Sequence, residues 1–282
     1  MKRVTLVACL AVLVFVLTVR AAGYENTAGI FQLDVGGRPS GMAGAFLALA
    51  DDESAAYYNP AGLGWVRGVG VTTLFSRQLE AVTYGAVSAS LPHVGVTLLR
   101  LDSGWIPSGE GDGFRYVSQA GVLASGASIG PVGIGARAKF YQVVSPVRAT
   151  GWSLDPALLI VTETIRFGLL VENLLSRPIA YPTGHQEGWP LRIRLGAAAT
   201  LSVAEEISWN IVGEAEGLFT STPRLVGGVE AWVGDLAGRL GYDGTSATLG
   251  LSVRFTSFQL DWGYHLGVGS VESHRVSLTF RF

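Results

Sequence analysis

From about Gly68 to its last residue the chain alternates apolar and polar side chains with a period of two. The closing segment shows this most cleanly: Val276, Leu278, Phe280 and Phe282 fall on one face, and Arg275, Ser277, Thr279 and Arg281 on the other. The segment before it sets Phe258, Leu260, Trp262, Tyr264 and Leu266 against Gln259, Asp261, Gly263 and His265. Residues 247–255 and 191–201 repeat the pattern. Period two belongs to extended strands, whose successive side chains point to opposite faces. Each segment runs about ten to twelve residues, the length a tilted strand needs to cross a bilayer and about twice that of a globular strand. A greasy face backed by one carrying ions fits a barrel wall with lipid outside and water or a filled interior within.

Composition leads the same way. A chain that is 49% hydrophobic and 15% charged must bury its apolar surface in a large core or a membrane. Past the N-terminus no run reaches the roughly 18 apolar residues of a spanning helix; the longest, Gly41 to Ala50, is too short. Without such a helix, only a closed barrel satisfies every backbone polar group in lipid. The formal charge of −2 gives no reason to expect nucleic acid as a partner.

Residues 1–22 read as a signal peptide: Lys2 and Arg3 supply the charge, Val4 to Val19 the apolar stretch, and Val19 to Ala22 the small residues for cleavage. Cys9, the only cysteine, lies inside that stretch rather than after it, against lipidation. The mature chain then has no thiol, so disulfides and thiolate metal sites are excluded.

Turn signals divide residues 65–282 into fourteen strands: 66–76, 80–90, 93–103, 115–128, 131–145, 151–161, 165–175, 190–202, 206–218, 223–233, 235–243, 246–256, 257–267 and 272–282. The alternation is blurred in the second and fourth. The expected fold is thus an all-β, antiparallel transmembrane barrel in the outer membrane, its wall against outer-membrane lipid. The two longest connections, 104–114 and 176–189, both follow odd-numbered strands and so fall on the outer side if the N-terminus is periplasmic. Trp65, Trp152, Trp189, Trp209 and Trp232 lie near strand ends, where interfacial girdles form; Trp105 and Trp262 do not.

Residues 23–64 do not alternate. They are rich in Gly and Ala, which suits backbone packed in a confined space, and Asn59-Pro60 reads as a helix start with Asn as cap. A fourteen-strand barrel is too wide for wall side chains to fill. An inward-folded plug answers that need; a periplasmic extension is the alternative. The run Arg38-x-x-Gly41-Met42-x-Gly44-Ala45-Phe46, the pair Asp51-Asp52 and the stretch Asn59-Pro60-Ala61-Gly62-Leu63 resemble the N-terminal hatch of FadL-type outer-membrane transporters and their PorV/PorQ relatives. The resemblance implies a fourteen-strand barrel closed by a hatch. It also implies one of two partners: a hydrophobic small molecule passed across the membrane, or an exported protein held by a secretion apparatus. The chain is shorter than FadL-type transporters, with smaller outer loops, so its size looks closer to the PorV/PorQ side, and no fatty-acid site residue carries over.

The inner face is expected to hold Arg137, Lys139, Arg166, Glu172, Arg192, Arg194, Glu214, Glu216, Arg239, Arg254, Asp261 and Arg281. These charges either tune passage or brace wall against plug. The second reading is favoured because both signs are present and desolvated charges need partners, with Arg38, Asp51, Asp52 and Glu53 as the plug's contribution. Asp51 to Glu53 as a cation site is the weaker alternative. The four histidines, His93, His185, His265 and His274, lack metal-ligand spacing, so no metal or other cofactor is expected. His265 shares a strand face with Asp261, but no serine is identified beside them, so no hydrolase triad, and no enzyme, is expected. Leu278, Phe280 and Phe282 resemble the C-terminal signal read by the barrel assembly machinery.

Overall fold

The structure, a computed structural model, describes residues 27–78, 82–107, 112–218, 220, 222–266 and 273–282. The expected signal peptide, 1–22, lies outside the described residues. Sixteen strands form in chain order: β1 (Gly70–Gln78), β2 (Val82–Leu91), β3 (Val94–Ile106), β4 (Phe114–Ile129), β5 (Val132–Ser145), β6 (Ala149–Val161), β7 (Ile165–Glu172), β8 (Leu175–Ala180), β9 (Gln186–Glu187), β10 (Arg192–Ala204), β11 (Ile207–Leu218), β12 (Arg224–Val233), β13 (Leu236–Tyr242), β14 (Ala247–Arg254), β15 (Phe258–Leu266) and β16 (Ser273–Arg281). Fourteen of them, β1–β7 and β10–β16, make a closed antiparallel wall in which each strand pairs with its neighbour in sequence and β16 returns to β1 through Gly70↔Arg281 and Val71↔Phe280. Closure leaves no edge, the condition lipid imposes on a sheet.

The two extra strands correct the expected loop 176–189, and strand seven ends at Glu172 rather than at 175. Asn173, with φ 62°, bends the chain, and β8 then continues along β6 (Leu154↔Leu175, Trp152↔Arg177) before folding back as a hairpin with β9. Connections at the end of the wall where β1 starts and β16 ends are two or three residues long, as at 92–93, 130–131 and 234–235. That end is periplasmic by the rule that barrels keep short turns there.

Burial alternates along the strands, as in β3 and β14. One face exposes Phe75, Leu98, Phe140, Phe167, Ile211, Leu240 and Leu251, the lipid-facing set. The other meets an inner segment formed by residues 27–69. It contains two single-turn helices, α1 (Gly37–Ser40) and α2 (Ala55–Tyr58), and two 3-10 turns, 29–32 and 60–64. Val35, Met42, Phe46, Leu47, Leu49, Ala55, Ala56 and Leu63 are wholly buried there. Backbone packs on backbone in this space. A Cβ on Gly41 would lie 2.9 Å from the Gly250 Cα, and Gly44, at φ +79°, takes a left-handed conformation that side chains resist. The helix start expected at Asn59-Pro60 is a 3-10 turn, with the Asn59 side chain accepting from the Ala61 N–H at 3.1 Å.

The tryptophan girdle needs correction. Trp152 and Trp209 do face outward, but Trp189 and Trp232 are buried on the inner side and Trp65, within the inner segment, is half-buried against the wall at Gly133. Inside, an indole fills space beside a cation: Arg254 stacks 3.9 Å above the Trp232 ring.

Candidate functional site in the lumen

Glu230 is the hub of the lumen. Its position on β12 places it inward between Gly228 and Trp232, and its carboxylate is fully buried. It accepts two hydrogen bonds from Arg38, both 2.9 Å, one from Arg239 at 2.6 Å and one from Asn210 at 2.8 Å. The Arg38 guanidinium also reaches Asp51 at 2.6 Å and Asp52 at 3.2 Å and lies 5.0 Å over the Phe46 ring. Arg166 bonds the Leu49 carbonyl at 2.9 Å and Asp51 at 3.2 Å; Arg281 bonds Glu53 at 2.7 Å. The acidic triplet 51–53 is thus committed to arginines. Burial raises the Asp52 carboxyl above the usual carboxylate range; Arg38 opposes this, and Glu53 and Asp51 reinforce it.

A second network lines β5–β7 and β10–β12. Arg137 bridges Asp155 (2.8 Å) and Glu172 (2.7 Å), and Lys139 bonds Asp155 and Asn173. Arg194 joins Glu214 and Glu216, whose other partner is Arg224. Glu214 also accepts from the Leu47 N–H at 3.3 Å. Arg192 stands beside Glu172 in register, and Arg239 lies 3.6 Å from Asp261. Of the charged residues expected to face inward, Arg137, Lys139, Glu172, Arg194, Glu214, Arg239 and Asp261 are buried, Arg166, Arg192 and Glu216 are half-buried, and Arg254 and Arg281 are exposed near the periplasmic end. The remaining motif residues Gly41, Met42, Gly44, Asn59 and Pro60 all touch the wall or the segment's own turns: Asn59, for example, donates to the carbonyls of Leu47 (2.9 Å) and Leu158 (3.2 Å).

Sequence reasoning passed over Asp155, Glu230, Asp34 and the aromatic residues of the outer half of the lumen. Parity alone would have found the first two, since Val229, Ala231 and Val233 are outward and Glu230 is not. Asp34, in the non-alternating segment, carries no such signal; it pairs with Arg275. The aromatic group is Phe31, Tyr141 and Trp189, with ring centroids 5.9 to 6.4 Å apart, and Lys139 lies 5.2 Å over Phe31. Tyr116 joins through a 2.7 Å hydroxyl contact to Tyr141. Beside this group a polar cavity of about 290 Å³ opens, lined by Asp34, Glu172, Arg192, Arg194, Glu216 and Arg275.

The wall is interrupted next to the aromatic group. The β7–β10 ladder ends at Glu172↔Arg192, while β8 pairs with β6 and β9. Pro178 and Pro190 have no N–H to offer a ladder. Between 173–178 and 188–191 two side chains span the gap: Asn173 donates to the Pro190 carbonyl at 2.7 Å and Trp189 to the Arg177 carbonyl at 2.9 Å.

His265 faces Asp243 at 3.8 Å, not Asp261, which instead contacts Ser252, Gln259 and Ser277. Burial works against ionisation of Asp243, in the loop after β13, but N–H groups of Thr245 and Ser246 and the Thr245 hydroxyl hold it below the ordinary range. Among the described residues no cluster of His, Cys, Asp and Glu has metal-binding geometry.

No protein-family model and no curated protein sequence matches the chain. Solved structures do. The CymD monoaromatic hydrocarbon channel superposes with a TM-score of 0.60 at 11% identity, over 88% of this chain and 97% of that one. The Pseudomonas putida toluene transporter TodX gives 0.54 at 13%, over 90% and 100%. A Pseudomonas aeruginosa FadL homologue gives 0.50 at 11%, over 88% and 98%. The fold is that of FadL-type channels. At such identities the likeness is one of architecture, so the FadL-type fold fixes the barrel and leaves the choice of cargo to this chain's own side chains.

Proposed function

We propose that the chain sits in the outer membrane and passes hydrophobic small molecules, with residues 27–64 as the plug. The supporting observation is the aromatic group of Phe31, Tyr141 and Trp189, an apolar lining set beside an interrupted wall in a fold shared with hydrocarbon channels. A flat apolar molecule gains most against aromatic faces and edges. On this reading Trp189 is the movable element: its indole fills the lumen and is tied to the wall at the gap through the Arg177 carbonyl. The ionic network keeps the plug seated while the outer half of the lumen accepts cargo.

The test is flux of a monoaromatic hydrocarbon into liposomes containing the full chain. Uptake above empty liposomes, altered by Trp189→Ala, is expected; uptake equal to empty liposomes overturns the reading. A second reading, a PorV/PorQ-like component holding an exported protein, draws on the charged lining of the 290 Å³ cavity, a poor match for a hydrocarbon. It predicts co-purification of an exported protein that is lost on reversing Arg192 and Arg224 to Glu.

A further inference from the structure

The outer surface of the barrel is not uniformly apolar. Among the described residues of β10–β16, no Asp, Glu, Lys or Arg falls on the lipid-facing side. On the opposite sector Arg100, Asp102, Arg115 and Arg177 all do, joined by Arg77 at the outer end of β1. Charged groups on a lipid face are costly unless they reach headgroups, so their concentration in one sector calls for a reason.

Two of these, Arg100 and Arg177, line an outward groove of about 980 Å³ that runs across β1–β6 to β8. Register defines its two walls. Toward the periplasm stand Leu98, Phe140 and Trp152, each more than 40% exposed. Toward the outside, Arg100↔Gln119↔Gln142 form a row of polar side chains across three strands. Strands rising about 3.3 Å per residue at a tilt near 40° climb about 2.5 Å per residue. Arg100, six residues after Val94, is therefore about 15 Å above the periplasmic edge of an apolar band about 25 Å tall, within snorkelling reach of the outer headgroups. A second outward groove, about 820 Å³ across β6–β12, presents Leu158, Phe167, Leu195 and Leu225 with no polar wall. Acyl chains suffice for that one.

We propose that the groove over Leu98 and Phe140 binds an anionic, phosphate-bearing lipid of the outer leaflet. The acyl chain lies against Leu98, Phe140 and Trp152, and the phosphate meets Arg100 and Arg177, with Gln119 and Gln142 as amide donors. Charge supports this occupant. Two guanidinium groups share one carboxylate: Arg115 takes Asp102 through its Nε at 2.7 Å, leaving Arg100 at 3.6 Å from it. Arg177 has no carboxylate within 4 Å among the described residues. Guanidinium forks match phosphate oxygens, and the desolvated rim of a groove strengthens that pairing.

The full chain reconstituted in nanodiscs of mixed phosphatidylglycerol and phosphatidylcholine provides the test, with native mass spectrometry reading which lipid is retained. Wild type should hold phosphatidylglycerol in preference. Arg100→Gln and Arg177→Gln should each weaken that preference about fivefold, from the contribution of one arginine near an anionic surface. Arg100→Lys should keep most of it, and Arg224→Gln, at the mouth of the lumen and away from the groove, should leave the lipid preference unchanged. Heat-modifiable mobility identifies variants that fold. Equal retention of the two lipids, indifference to both arginine variants, displacement by inorganic phosphate alone, or a dimer that the variants dissociate would each overturn the proposal.

Discussion

The inner segment is held differently on its two sides. Toward β12–β16 it is held by charge added to close contact: Arg38 pairs with Glu230, Glu53 with Arg281 and Asp34 with Arg275, beside the Gly41–Gly250 approach. Toward β4–β6 it is held by contact. The Pro60–Gly64 turn lies directly on wall glycines, so that a Cβ on Gly126 would come 2.0 Å from the Pro60 carbonyl oxygen and one on Gly135 2.5 Å from the Ala61 nitrogen. Ion pairs in that second sector, such as Arg137 with Asp155, run within the wall instead. Charge tolerates small shifts but not the loss of a partner. Contact tolerates no added atom. The first side is therefore sensitive to deletion of a charge as well as to insertion, the second to insertion.

That contrast can be broken most forcefully at Glu230. Glu230→Ala leaves Arg38 and Arg239 buried without their shared carboxylate, and should cost about 3–5 kcal/mol, seen as a lower urea midpoint for the detergent-folded barrel. On the contact side, Gly126→Val should cost about 1–3 kcal/mol by overpacking and expose residues 27–64 to protease while the wall keeps its heat-modifiable mobility. If protease access were unchanged, the close approach would not be what seats the segment. Asn59→Ala, which removes a cap and two donated hydrogen bonds to Leu47 and Leu158, should cost about 1–2 kcal/mol, measured by the same midpoint. Deleting Phe282 removes the backbone bonds exchanged with Val69, each about 1 kcal/mol, and should lower the yield of folded barrel on gels. Smallest is Arg224→Gln: its half-exposed pair with Glu216 contributes about 0.2–1 kcal/mol, and this should vanish at high salt.

Much of the wall could be read from the chain because lipid on one side and a filled lumen on the other enforce strict parity. Residues 258–266 and 273–281 show this with hardly an exception. Parity also places Arg137, Arg194 and Asp261 on the inner face, where they are buried. It gave no pairing, so the convergence of Arg38, Arg239 and Asn210 on Glu230 had to come from three dimensions. Trp189 and Trp232 misled because a tryptophan near a strand end is ambiguous: the same amphipathic ring suits a headgroup layer or a buried cation. The β8–β9 hairpin escaped notice because Pro178 and Pro190 interrupt the strand signal where a short ladder nevertheless forms. The outward arginines escaped because Arg100 falls in a segment whose apolar neighbours dominate the pattern.

The seam between the first and last strands bears on what the ring encloses. Phe282 exchanges backbone hydrogen bonds with Val69, and Val69 directly follows the stretch leading out of the lumen. The last strand thus shuts a ring around the segment that precedes the first. A ring closed with residues 27–64 outside it would be sealed around water, with the buried arginines and carboxylates of the wall left without their partners from that segment.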